Sequence, residues 1–409
     1  MDFNALLALM VQKNSFHLFI TAGRAPTMKI DGALVEVSKT ALTKEQTLAL
    51  VLSIMEARHK EEFYKTKECQ FAIGIPKVGR FRVSAFIQRD AAGMVLHRIQ
   101  HEIPDIDTLT LPPIVKELVM EKQGLVLFAG PLGAGKSTSM ASLIKYRNQN
   151  SSGHIIVLED PMEFMHSHAN CIVTQREVGL DTDSYEIALK NALQQSPDVV
   201  AIGEIRSREA MQTAMSVVDS GCLCLSTINA GYAEQVMERI LNLFPDDMHR
   251  RMRMELVTGL RAIVSQQLLR CSNGKNYVIS EILINTPEVQ DALRRGEFHR
   301  LKELIIHGHD VGMQSFDQAR CDLFVQQKIS YEDAVSTAEH KNEFRFMVKQ
   351  TMQQMNLAES QEISTDVNRA TEKSEPELKR PASMFESKEI TLSDIHDDNS
   401  DMGSIFTHR

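Results

Sequence analysis

Residues 130–138 read Gly130-Pro131-Leu132-Gly133-Ala134-Gly135-Lys136-Ser137-Thr138. Glycines at the first, fourth and sixth places let backbone N–H groups curl around an anion. A lysine beside a hydroxyl at the end of the loop suits phosphate oxygens and a hard cation. Lys136 is the group to reach β- and γ-phosphates, and the Ser137 hydroxyl the group to ligate Mg²⁺. The N-terminus of a following helix adds a favourable dipole. ATP is the nucleotide this chemistry implies. A carboxylate partner is expected at the end of a neighbouring strand, and Val199-Val200-Ala201-Ile202-Gly203-Glu204 supplies one. That run is Walker B-like and ends in glutamate, so Glu204 is a candidate Mg²⁺ ligand, directly or through water. Glu159, Asp160 and Glu163 follow another apolar run, residues 155–158. One of these three is expected to position an attacking water, and their spacing alone leaves open which.

Such groups need a frame. Short apolar runs at 124–129, 155–158, 199–202 and 222–227 alternate with helical stretches, the pattern of a parallel sheet with crossover helices. The loop at 130–138 lies between the first of these runs and a predicted helix. From residue 248 to about 355 helices are expected to dominate. Residues 1–100 read as a small α+β unit: a helix over 3–10, a strand over 18–21 and a turn at 23–26. Helical periodicity follows over 43–64 with Thr43 as N-cap, then a hairpin of 69–75 and 80–86 joined at Pro76-Lys77-Val78-Gly79. Pro104 and the Pro112-Pro113 pair mark a linker over 101–115. An ATPase-type α/β domain is expected over 116–357, and 358–409 reads as a disordered acidic tail.

Composition narrows the class. The 409 residues are 43% apolar and 24% charged, enough to bury a sizeable core. The net charge is -9, of which residues 360–409, with 11 acidic and 6 basic side chains, carry -5. A near-neutral, slightly acidic body argues against a life on nucleic acid, which needs a basic face. No apolar run approaches the ~18 residues that span a bilayer. The start carries Asp2 and lacks a basic secretory leader, and the six cysteines are scattered. The expectation is a soluble, cytoplasmic protein. Cys222 and Cys224 read as a packed pair of small apolar residues, and the 21 methionines as core filler.

The loop at 130–138, the Glu159-Asp160-Pro161-Met162-Glu163 box and the Ile202-Gly203-Glu204 strand end, in that order, resemble the secretion-type ATPases of type IV pili, in their PilT/PilU retraction branch. Residues 18–23, 79–86, 151–155, 173–179, 264–268 and 312–318 are similar to the PilU side of that branch. The resemblance covers about residues 1–350. It implies an N-terminal PAS-like α+β domain joined to a RecA-like ATPase domain, in a hexameric ring with ATP and Mg²⁺ between the domains. It implies Glu163 as catalytic base, Glu204 as Walker B glutamate, and Arg80, Arg82 and Arg98 as candidates to reach the γ-phosphate. The function implied is an ATP-hydrolysing motor subunit for pilus retraction, pilus disassembly and twitching motility. It would act at the inner face of the inner membrane with a PilC-like platform protein and a PilT-like ATPase, meeting the membrane only through partners and binding no nucleic acid. The alternative is a nucleotide-binding accessory subunit with weak hydrolysis of its own. The chain departs from the family's pattern at Cys222 and Asn229, where the family carries histidines that link the nucleotide site to the ring. It departs also at residues 14–17 and at His97, where an arginine is usual.

Overall fold

The structure, a computed structural model, describes residues 3–30, 32–272 and 274–353. The chain divides into Met1–Val348 and Lys349–Arg409, and the fold described here is that of the first unit. The tail read over 358–409 lies outside the described residues.

The N-terminal part is an antiparallel sheet of six strands: β1 (His17–Ile20), β2 (Thr27–Ile30), β3 (Ala33–Glu36), β4 (Glu68–Ile75), β5 (Gly79–Gln88) and β6 (Ala91–Ile99). Their spatial order is β3-β2-β1-β6-β5-β4. One face carries Leu18, Met28, Phe71, Phe81, Val83 and Leu96 into a core closed by Leu7, Met10, Val51 and Phe63 of the helices Phe3–Gln12, Lys44–Ser53 and Ala57–Thr66. Alternation sends the other side chains of the strands to the opposite face, where Arg82 pairs with His97 and His97 with His17 across β5, β6 and β1. The expected hairpin of β4 and β5 is present. The helical run expected over 43–64 is instead two helices, broken at Ile54–Glu56, although Thr43 is the expected N-cap and closes a capping box with Gln46.

The second sheet has seven strands: β7 (Gly124–Ala129), β8 (Gly153–Glu159), β9 (Cys171–Glu177), β10 (Val199–Glu204), β11 (Leu223–Ile228), β12 (Leu260–Arg270) and β13 (Asn276–Ile284). The order is β13-β12-β7-β11-β10-β8-β9, parallel everywhere except between β12 and β13. Every residue of β7 and of β11 is buried, as befits central strands covered on both faces. Helices do dominate beyond residue 248, as expected, but the unforeseen β12–β13 pair interrupts them. Positions 262–266 are buried without a break, so no two-residue alternation marks β12 in the sequence. Among the described residues, no helix is long and apolar enough to cross a membrane.

Candidate nucleotide site

Five parallel strands end side by side along one edge of the second sheet. In spatial order these are β7, which runs into the loop at 130–135, then β11, β10, β8 and β9. Ala129 pairs with Ile228, Thr227 with Glu204, Leu158 with Ile202 and Glu159 with Glu177. The register therefore lines up the glycine loop, Asn229, Glu204, the 159–163 box and Glu177 on the edge where open α/β sheets bind ligands.

The loop is built for close backbone approach. Gly130 has φ +147°, and a Cβ there would lie 2.5 Å from the carbonyl oxygen of Gln266 on β12, so only glycine fits. Gly133 and Gly135 also have positive φ. Gly135 is the N-cap of the helix Lys136–Asn150 and offers no side-chain cap, so the first-turn N–H groups are left for an anion. Pro131, Leu132 and Gly133 are exposed, Ala134 is buried, and Ser137 and Thr138 are half-buried at the helix start. This cradle fits phosphate. The oxygens of Ser137 and Glu204 fit a hard divalent cation.

Lys136 is buried. Its Nζ donates to Gly130 O at 2.7 Å, to Pro131 O at 3.0 Å and to Asn229 Oδ1 at 3.1 Å. Burial pushes its pKa down, while the carboxylates of Glu204 and Glu163 pull it back up. The structure thus brings both glutamates into electrostatic reach of the lysine.

Glu204 Oε2 accepts from Arg206 Nε at 2.8 Å and Nη2 at 2.7 Å. Thr227 Oγ1 donates to Gly203 O at 2.7 Å and Ile205 N to Thr227 O at 2.8 Å, fastening the end of β10 to β11. In the acidic box, Met162 and Phe164 are buried and Glu163 between them is exposed. Gln100, just past β6, donates its N–H to Glu163 O at 3.1 Å and accepts from Met165 N at 2.9 Å. Glu159 is buried, its Oε2 has no hydrogen-bond partner, and its pKa is raised to about 8 by burial first, then by Glu163 and Glu177. That shift favours a protonated Glu159 at neutral pH, whereas Glu163 stands exposed.

Sequence reasoning missed Glu177 as a site residue. It is buried at the end of β9, and burial raises its pKa against the pull of Arg82 and Arg80. Two of the candidate arginines thus approach the edge from the N-terminal sheet. Arg98 does something else: its guanidinium donates to Asn14 Oδ1 at 3.4 Å and lies 6.0 Å from the centre of the Phe16 ring. Also unforeseen was the separation of the two departures from the family's pattern. Asn229 follows the carboxyl end of β11, whereas Cys222 precedes its amino end, where Cys222 Sγ bonds Pro197 O at 3.0 Å. Seven residues at the ~3.3 Å rise of a strand set the two roughly 20 Å apart. Cys222 and Cys224 lie in one apolar cluster.

Residues 6–381 match the family model described as Type II/IV secretion system protein. The chain is 51% identical over 350 residues to the Type IV pilus ATPase PilU of Pseudomonas aeruginosa, covering 85% of this chain and 92% of that protein. It is 32% identical over 344 residues to the Type IV pilus retractation ATPase PilT of the same organism, covering 84% and 100%. The crystal structure of the pilus retraction motor PilT and bound ADP matches with a TM-score of 0.76 at 34% identity, over 84% of this chain and 98% of that one. The resemblance read from the motifs is borne out, on the PilU side of the branch. The chain is homologous to the PilU and PilT ATPases of type IV pili, and it belongs to the Type II/IV secretion system protein family.

Proposed function

We propose that the chain is an ATP-hydrolysing motor subunit of type IV pilus retraction, working as a hexamer. The observation that carries this reading is the glycine loop at the end of β7, open for an anion at the start of the helix Lys136–Asn150, with a buried Lys136 on whose charge Glu204 and Glu163 act. In this reading residues 1–100 are a PAS-like domain, 101–115 a linker and 116–357 a RecA-like ATPase domain. The backbone N–H groups of residues 133–138 and the Lys136 ammonium bind the phosphates. Ser137 and Glu204 hold Mg²⁺, which when bound offsets charge developing on the transferred phosphoryl group. Glu163 accepts the proton of the attacking water. Arg82 and Arg80 on β5 bring positive charge from the N-terminal sheet. A PilC-like platform protein and a PilT-like ATPase are its partners at the inner face of the inner membrane.

The test is steady-state ATP hydrolysis by the full chain, alone and mixed with its PilT counterpart, for wild type and Glu163→Gln. Hydrolysis that falls about 10²-fold or more in the variant, with nucleotide still bound, supports the motor. A wild-type rate indistinguishable from that of Glu163→Gln under both conditions favours the accessory-subunit reading. Two observations lean toward that second reading: Arg206 occupies the Glu204 carboxylate, and an amide stands at 229.

A further inference from the structure

An ammonium has three donors, and all three of Lys136 are taken by protein oxygens. A phosphate oxygen reaches Nζ only by displacing one of them. Gly130 O and Pro131 O are main-chain atoms of the loop: Gly130 lies against Gln266 with no space for even a Cβ, and Pro131 O also accepts from Ala134 N at 3.2 Å. Asn229 Oδ1 makes the longest of the three bonds, and it is the only acceptor on a side chain that can rotate away. Its backbone is held still, because β11 is fastened to β7 through Ile228 and to β10 through Thr227. The amide can therefore turn without moving the strand that carries it.

We propose that Asn229 is the exchangeable partner of the loop lysine, a positioning residue that holds Nζ at the loop and competes with the nucleotide's terminal phosphate for it. The proposal rests on the reading of residues 130–138 as a nucleotide cradle and adds a role to a residue outside that loop. An uncharged amide is a weaker acceptor than a carboxylate. It keeps the buried ammonium satisfied and still yields to a phosphate, whose charge makes the stronger bond. A carboxylate at 229 would form an ion pair with the lysine and refuse the exchange.

Equilibrium binding of a non-hydrolysable ATP analogue with Mg²⁺ to the full chain tests this, with Asn229→Ala and Asn229→Asp beside the wild type. Asn229→Ala removes the competitor and should bind about threefold to tenfold tighter, the range of one ordinary hydrogen bond. Asn229→Asp should bind at least about tenfold more weakly. The opposite signs are the signature, since a merely structural role would weaken both. Equal or weaker binding by Asn229→Ala overturns the proposal, and this arm decides alone if Asn229→Asp does not fold. A wild type that binds no analogue overturns the cradle reading itself, so the two failures are told apart.

Discussion

Lys136 shows how far a residue's role can be read before its surroundings are known. The spacing of glycines, lysine and serine marks a candidate phosphate loop, but not that the lysine is buried and bonded to three oxygens. Replacing it with methionine keeps the aliphatic stem and removes a charge whose pKa burial already depresses. Lys136→Met should therefore cost about 10- to 100-fold in ATP affinity, the scale of charge-assisted bonds to phosphate, and leave the melting temperature equal or higher. A calorimetric titration and a thermal melt check both. Glu159 gives a prediction in pH. Its folded pKa of about 8 lies above the ordinary 4.5, so between these values the folded state keeps a proton that the unfolded state has lost. Stability from this group is full below pH 4.5 and falls as pH rises toward 8. Glu159→Gln does not titrate, so its melting temperature relative to wild type should climb from pH 5 to pH 8 and level off above. The slope should be at most about 1.4 kcal/mol per pH unit. Glu163, Glu177 and Tyr185 face the same carboxyl, so the difference reports Glu159 together with its coupling to them. The acidic box was legible from the sequence as three carboxylates. Which of them is neutral was not, because that depends on a strand, β9, that no alternation announced.

At the scale of elements, β7, β8, β10 and β11 were legible as bounded apolar runs, since buried parallel strands are continuous in hydrophobicity. The four-residue strands β2 and β3 were not, for they are too short to show a period, and β3 is exposed along its whole length. Nor was the tie between the two sheets legible, because it is made by backbone atoms. Gln100 continues from β6 and forms a parallel bridge with Phe164, so the chain carrying Glu163 is anchored to the last strand of the N-terminal sheet. Gln100→Pro removes the N–H that bonds Glu163 O and leaves the carbonyl that accepts from Met165. If this bridge positions the base, kcat should fall about 10-fold or more while nucleotide affinity stays within about twofold. A misplacement of the order of 1 Å can cost as much as about 10²-fold. Single-turnover hydrolysis and equilibrium binding separate the two quantities, and an unchanged kcat would remove the bridge from the machinery.

Across the whole molecule, charge links the two sheets. The sequence offered Arg80, Arg82 and Arg98 as equivalent candidates, because spacing does not say which way a strand's arginine faces. In the fold, Arg80 and Arg82 share one face of β5 and act on Glu177 at the end of β9, while Arg98 is held by Asn14 and Phe16 within its own sheet. A motor that changes the separation of its two sheets with nucleotide would change the Arg82–Glu177 interaction, and a fixed assembly would not. The prediction is a coupling that can be read without nucleotide. In a cycle of Arg82→Gln, Glu177→Gln and the double variant, denaturant unfolding should show non-additivity of about 0.5 kcal/mol. That is the low end for neighbouring groups, because Arg82 is half-exposed and solvent screens it. The same cycle with Arg98→Gln should be additive. Raising the salt to about 1 M, where charges are screened beyond ~3 Å, should erase the first coupling and leave the second at zero. Equal coupling for both arginines would return Arg98 to the edge of the nucleotide site and detach the electrostatic link from β5.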